Sequence, residues 1–190
     1  MKIEFDKIIK DKYGIISGNK KLIFVKTGRG GTCYGYNNKY LNLANEISNL
    51  YGYSVIISAY PTDSVCNLQE ELEEIKSYIA DYEEVYFIGI SAGALLGAQQ
   101  GYLNEKITRM LLVNGPIMIN WPKTKRGIEK FQGERVEMIY GMKDPSYRYY
   151  EILSCINSAK LVCTAIEGAD HNFIGMEDVL ASKMKEFIQV

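Results

Sequence analysis

The sequence has 190 residues, of which 47% are hydrophobic, enough to bury the core of one globular domain over residues 1–190. Its 22 basic and 23 acidic residues give a formal net charge of −1, so we expect no surface for nucleic acid. No apolar run is long enough to span a membrane, and the first six residues lack the apolar core of a signal peptide. The four cysteines have neither paired nor metal-ligand spacing, so we expect reduced thiols, a cytoplasmic location and no metal or cofactor.

Strands and helices alternate along the chain. The apolar pattern predicts two short strands within residues 1–18 and longer strands at 21–26, 54–59, 84–90, 107–114, 135–140 and 160–166. It predicts helices near 37–51, 67–82, 146–158 and 176–189, and another directly after residue 91. This order predicts an α/β fold with a mostly parallel central sheet and helices on both faces. In the helix near 67–82, a solvent-exposed face is expected for Glu70, Glu71, Glu73 and Glu74.

A glycine-rich loop, Thr27-Gly28-Arg29-Gly30-Gly31-Thr32, follows the strand at 21–26. One interpretation is a phosphate-binding turn before a helix. The dinucleotide-binding pattern, however, requires a third glycine where this chain has Cys33, and no Gly-Lys-Ser/Thr follows as in a P-loop. The loop therefore gives little support for nucleotide binding. Its glycines instead allow a backbone amide to face a ligand.

The pentapeptide Gly89-Ile90-Ser91-Ala92-Gly93 lies between a predicted buried strand and a predicted helix. This is the nucleophile-elbow pattern, in which the serine occupies a strained strand-to-helix turn. The two glycines are expected because a Cβ at either position would collide with nearby backbone. The alternative is a glycine-rich turn with a purely structural role. A serine hydroxyl becomes a good nucleophile only when a neighbouring base takes its proton.

An acid and a histidine that could activate such a serine follow two later strands. Asp144 comes after the strand at 135–140, and His171, the only histidine, comes after the strand at 160–166. Side chains beyond the carboxyl ends of parallel strands converge on one crevice, so Ser91, Asp144 and His171 are expected to meet there. Asp170 and Asp63 are competing acids. Asp170 is a poor partner for His171, because neighbours in an extended chain point in opposite directions.

These motifs resemble the signatures of the α/β-hydrolase family over nearly the whole chain. The matching features are the elbow around Ser91, the Gly-x-x-Asp that ends in Asp144, and the Gly-Ala-Asp-His that ends in His171. The resemblance implies a catalytic triad of these three residues. It also disfavours Asp63, which precedes the serine and so falls outside the family's usual order.

The resemblance further implies an oxyanion hole made of two backbone amides. One belongs to Ala92, directly after the nucleophile, and the other to Arg29 or Gly30 in the glycine-rich loop. Many relatives begin that loop with His-Gly, whereas this chain has Thr27-Gly28. The choice between Arg29 and Gly30 therefore stays open.

The segment 115–133 stands where larger relatives carry a cap. At about twenty residues it is too short for a separate domain and long enough for one short helix. Met118 and Trp121 either roof the substrate pocket or pack this segment onto the body of the protein. Tyr34, after the glycine-rich loop, is expected to frame the entrance.

The function that these features predict is a serine hydrolase of small carboxylic esters or thioesters, acting through an acyl-enzyme on Ser91. We expect it to bind a small-molecule acyl substrate, and we expect neither nucleic acid nor a membrane as a partner. Two other functions stay open on the same residues. One is a ligand-binding protein that keeps the fold without turnover, and the other is an acyltransferase or peptidase that uses the same triad. The sequence does not indicate an oligomeric state.

Overall fold

The structure, a computed structural model, describes residues 3–79 and 81–189. Within these residues the strands are β1 (Lys7–Ile9), β2 (Tyr13–Ile16), β3 (Asn19–Arg29), β4 (Tyr53–Tyr60), β5 (Glu84–Ile90), β6 (Ile107–Val113), β7 (Arg135–Gly141) and β8 (Leu161–Ile166). The α helices are α1 (Lys39–Tyr51), α2 (Leu68–Ile75), α3 (Ala92–Gln100), α4 (Trp121–Lys130) and α5 (Glu177–Gln189). Shorter 3-10 helices lie at Tyr36–Asn38, Gly101–Leu103 and Pro145–Cys155.

These strands form one sheet in the order β1-β2-β4-β3-β5-β6-β7-β8. The pairs β1–β2 and β2–β4 are antiparallel, and every other pair is parallel. The predicted mostly parallel sheet is therefore confirmed. Since the carboxyl ends of the parallel strands share one edge, the loops after β3, β5, β6, β7 and β8 meet there.

The core consists of two apolar layers, one on each face of the sheet. Strand β3 contributes to both, because its side chains alternate in direction. Leu22 and Phe24 pack with α2, α3 and α4, whereas Ile23 and Val25 pack with α1 and α5. All four side chains are fully buried. Burial on both faces is typical of parallel strands and accounts for the unbroken apolar run in the sequence.

Two predicted helices differ from the observed elements. Helix α2 ends at Ile75 and continues only as turns, in which the Ser77 hydroxyl donates to the Glu74 carbonyl at 2.7 Å. Serine competes in this way for backbone partners and weakens a helix end. The helix predicted near 146–158 is instead the 3-10 helix. The rings of Tyr147 and Tyr150 lie 5.4 Å apart, as the three-residue repeat of that helix favours.

The prediction that all four glutamates of α2 face the solvent is wrong for one of them. Glu71 is buried, and both of its carboxylate oxygens accept hydrogen bonds from Lys26 Nζ, at 2.7 and 3.0 Å. Lys26, fully buried on β3, also donates to the Ser58 hydroxyl oxygen at 3.0 Å and to the Ala59 carbonyl at 2.8 Å. This buried ion pair ties α2 and the end of β4 to the strand that leads into the glycine-rich loop.

The segment 115–133 forms the single short helix that its length predicts, α4. Gly127 brings this helix against α3 so closely that a Cβ there would lie 2.1 Å from the Ala98 carbonyl oxygen. Gln99 Nε2 donates to the Ile119 carbonyl at 2.9 Å and to Thr124 Oγ1 at 3.1 Å. Close packing and these hydrogen bonds therefore hold the segment 115–133 against α3. Among the helices of the described residues, none is both long and apolar enough to cross a membrane.

Candidate active site

Ser91 lies in the sharp turn between β5 and α3. Its backbone has an uncommon positive φ (φ 52°, ψ −114°), and its amide donates to the Val113 carbonyl at 2.8 Å. A Cβ on Gly89 would lie 2.6 Å from the Gly93 carbonyl oxygen, and one on Gly93 would lie 2.3 Å from that of Lys26. Backbone does not tolerate such contacts, so only glycine fits at both positions. The steric requirement predicted for the two glycines is confirmed.

The structure brings Ser91, His171 and Asp144 together. His171 Nε2 lies 3.0 Å from Ser91 Oγ, and His171 Nδ1 contacts Asp144 Oδ2. The Asp144 side chain is fully buried, and its Oδ1 accepts from the Ser146 amide at 2.6 Å. With the Nδ1 proton directed at the carboxylate, Nε2 is left to accept the serine proton. This is the arrangement that a general base needs.

The two competing acids lie elsewhere. Asp170 Oδ1 accepts from the backbone amides of Asn172 and Ile174, each at 3.0 Å, and not from the imidazole. The hydrogen bond from Ile174 is the main reason that the pKa of Asp170 is lowered. Asp63 is exposed in the loop after β4. Neither carboxylate occupies the position beside His171 Nδ1.

Asn114 joins the two loops that carry the acid and the histidine. It is fully buried directly after β6 and has a left-handed backbone (φ 49°). Its Nδ2 donates to the carbonyls of Asp170 (3.2 Å) and His171 (3.0 Å), while its Oδ1 accepts from the Gly141 amide (2.8 Å). Gly141 in turn begins the turn that ends in Asp144. No motif in the sequence singles out Asn114; the only signal is a polar Asn-Gly pair directly after a buried strand.

The glycine-rich loop lies beside Ser91. A Cβ on Gly28 would come within 3.2 Å of the serine Cβ. The Gly30 amide donates to the Tyr60 carbonyl at 2.7 Å and so continues the pairing of β3 with β4. The Gly30 amide therefore has a backbone partner other than a ligand. On the other side, Ala92 is the first residue of α3, and its amide has no carbonyl partner within that helix.

A cavity of about 500 Å³ opens next to Ser91. One wall comes from the glycine-rich loop and the start of α1, and the other from the loop that carries His171. Apolar side chains include Ile90, Val113 and Leu180, whereas the charged side chains are cationic. Within the described part of the chain, no aspartate or glutamate lines this cavity.

Three predicted substrate contacts do not line this cavity. Tyr34 packs edge-on against Phe5, with the ring centroids 5.6 Å apart. Trp121 begins α4 and packs on the apolar layer beneath α2, α3 and α4. Met118 belongs to the same segment, which the contacts of α4 with α3 hold beside that helix. Of the tyrosines near the glycine-rich loop, the cavity is lined instead by Tyr36 and Tyr40.

No protein-family profile matches the sequence, and a comparison with curated proteins finds no significant match. Solved structures do resemble it. Est1E from Butyrivibrio proteoclasticus superposes with a TM-score of 0.76 at 12% identity, covering 93% of this chain and 92% of that chain. Alpha/beta hydrolase domain-containing protein 10 from mouse gives 0.67 at 13% identity, covering 100% and 99%. The esterase Pf2001 of Pyrococcus furiosus gives 0.66 at 14% identity, covering 90% and 83%.

The chain therefore has the α/β-hydrolase fold, in agreement with the resemblance that its motifs suggest. At the turn between β5 and α3, the Ser91 hydroxyl contacts the His171 ring, and that ring contacts the buried Asp144 carboxylate.

Proposed function

We propose that this protein is a serine hydrolase that cleaves small carboxylic esters or thioesters through an acyl-enzyme on Ser91. The observation that carries the proposal is the continuous chain of contacts from Ser91 Oγ through the His171 ring to the buried carboxylate of Asp144. The likeness in fold to an esterase from Pyrococcus furiosus supports the same class of reaction.

In the first half of the reaction, Ser91 Oγ attacks the carbonyl carbon of the substrate while its proton passes to His171 Nε2. Asp144 holds the imidazole in the required tautomer and stabilises the cation that forms. The tetrahedral intermediate then collapses, and His171 gives the proton to the departing alcohol or thiol. The acyl group stays bound to Ser91 as an ester.

The negative oxygen of the tetrahedral intermediate needs hydrogen-bond donors that are already in place. We assign this role to the amides of Ala92 and Arg29. The hydrogen bond between the Gly30 amide and Tyr60 supports the choice of Arg29 over Gly30. In the second half of the reaction, a water molecule activated by His171 attacks the acyl-enzyme and releases the acid.

Short acyl groups should be the better substrates. The segment 115–133 is held beside α3 and the cavity is lined by loops, so a long chain would leave much of its length in water. A series of p-nitrophenyl esters from acetyl to decanoyl measures this preference. A steady rise of kcat/KM with chain length would contradict it.

The proposal is tested with an active-site fluorophosphonate, which should label the wild-type protein once and leave Ser91→Ala unlabelled. Asp144→Asn should lower kcat on p-nitrophenyl acetate by about 10⁴-fold, because the imidazole is then held in the wrong tautomer. Asp170→Asn is the matched control, since it makes the same change in a carboxylate that does not contact the ring, and it should keep most of the activity. Labelling that persists in Ser91→Ala would refute the proposal.

A further inference from the structure

We propose that the substrate of the Ser91 site carries an anionic group, a carboxylate or a phosphate, which the ammonium of Lys39 binds in the cavity. This inference rests on the function proposed above and adds the chemical class of the substrate. It is carried by the placement of Lys39 in the cavity wall and by the charges around it.

Lys39 is the first residue of α1 and lines the cavity together with Ser91 and His171. Its side chain is half-buried, and its Nζ lies 5.2 Å from the centre of the Tyr40 ring. In residues 3–79 and 81–189, no carboxylate lies within 4 Å of this ammonium, in contrast to Lys26, which is buried against Glu71. A charge withdrawn from water without an ion-pair partner is costly.

The acids nearest to Lys39 do not neutralise it. Glu177 and Asp170 act on the ammonium only from beyond ion-pair distance. The Asp170 carboxylate is held by the amides of Asn172 and Ile174, and Glu177 is exposed in the first turn of α5. Burial consequently lowers the pKa of Lys39, with the two acids partly offsetting it. A bound anion would reverse that effect, since an opposite charge favours the protonated amine.

The rest of the cavity is compatible with such a substrate. With no acidic side chain among the described lining residues, nothing in the wall repels an anion at short range. Arg29 also belongs to the lining, but its guanidinium is directed at residues outside this cavity: Nη1 donates to the Thr62 carbonyl at 3.3 Å, and Cζ lies 5.8 Å from the centre of the Tyr60 ring. The apolar side chains of the wall can contact the uncharged part of the same substrate.

The test compares two pairs of esters that differ in one charge. p-Nitrophenyl butyrate and mono-p-nitrophenyl succinate place the carboxylate on the acyl side, whereas phenyl acetate and 4-acetoxybenzoate place it on the leaving group. Wild type, Lys39→Gln, Lys39→Arg and Lys130→Gln are assayed at low salt, with Ser91→Ala supplying the background rate. Lys130 is the matched control because it is exposed on α4, across the sheet from α1.

The measured quantity is the ratio of kcat/KM for the anionic ester to kcat/KM for its neutral partner. In at least one pair, wild type should favour the anionic ester, and Lys39→Gln should lower the ratio about tenfold or more, as expected for one charge-assisted hydrogen bond. Lys39→Arg should retain the preference, and Lys130→Gln should leave the ratio unchanged. Because the neutral ester is measured for every variant, a general loss of folded protein cancels from the ratio.

Two negative results are distinguishable. Ser91-dependent turnover of the neutral esters, with ratios that Lys39→Gln does not change in either pair, would overturn the role of Lys39 and leave the hydrolase proposal standing. No Ser91-dependent turnover of any of the four esters would defeat the hydrolase proposal and the inference that rests on it.

Discussion

Replacing Lys26 alone should destabilise the protein far more than replacing Lys26 and Glu71 together. In Lys26→Met the Glu71 carboxylate stays buried and loses both hydrogen bonds from the ammonium. The Ser58 hydroxyl, which donates to it at 2.8 Å, stays in place but carries no charge. Glu71→Leu creates the converse situation, in which a buried ammonium loses its carboxylate and keeps uncharged partners, among them the Ser58 hydroxyl and the Ala59 carbonyl.

Removing one partner of a buried ion pair typically costs about 3–5 kcal/mol, because the other charge is left uncompensated. Both side chains are almost wholly shielded from water (0% and 4% exposed), so the full cost should apply to each single variant. For a chain of this size, about 3–5 kcal/mol corresponds to a Tm lowered by roughly 6–20 °C. The double variant Lys26→Met/Glu71→Leu removes both charges of this pair and fills a similar volume. Its stability should lie within about 1 kcal/mol of wild type, or above it.

Urea denaturation followed by tryptophan fluorescence and circular dichroism, with the thiols reduced, gives the four free energies of the double-mutant cycle. Coupling of about 3 kcal/mol or more is expected. Two results would refute the reasoning. One is a cost below about 1 kcal/mol for Lys26→Met, and the other is a double variant whose cost equals the sum of the two single costs.

Three further predictions address other parts of the molecule. Ser91→Gly should be more stable to urea than Ser91→Ala by about 1 kcal/mol, because glycine adopts the positive φ at the elbow without strain; equal stabilities would contradict this. Asn114→Gly, which suits the left-handed backbone but lacks the amide, should lower kcat tenfold or more with little change in KM, and an unchanged kcat would exclude a positioning role. A thiol reagent at pH 8 should label the exposed Cys155 first. Burial raises the pKa of Cys163 to about 11, so only about 0.1% of it is the reactive thiolate, and equally fast labelling there would contradict the prediction.

The positions of the strands along the chain and the contact of Ser91 with His171 follow from signals that are local in sequence. Apolar runs mark the strands, and each residue of the Ser91 site stands shortly after one of them: Ser91 one residue after β5, Asp144 three after β7 and His171 five after β8. The ion pair of Lys26 with Glu71 lacks such a signal. Glu71 stands three positions after Leu68, on the side of α2 that packs inward, yet nothing near it in sequence shows that a lysine 45 residues away meets it.

The lining of the cavity beside Ser91 is harder to predict, for a different reason. Met118 and Trp121 are suitable for lining a pocket and equally suitable for fixing a helix to the body. The choice depends on how closely α4 approaches α3, which Gly127 permits by lacking a Cβ. Lys39 belongs to no sequence motif that would indicate a place in the cavity. Its place in the cavity wall results from the loop before α1, where Asn37 and Asn38 both have positive φ.

The single histidine simplifies the proton NMR spectrum of this protein. Every imidazole signal in a proton NMR spectrum must come from His171, so no assignment by mutagenesis is required. The proton on Nδ1, held against a buried carboxylate, should resonate far downfield of the backbone amides, apart from all other signals. Titrating a candidate ligand while following that one line would report directly on occupancy next to Ser91, without a chromogenic substrate or a label.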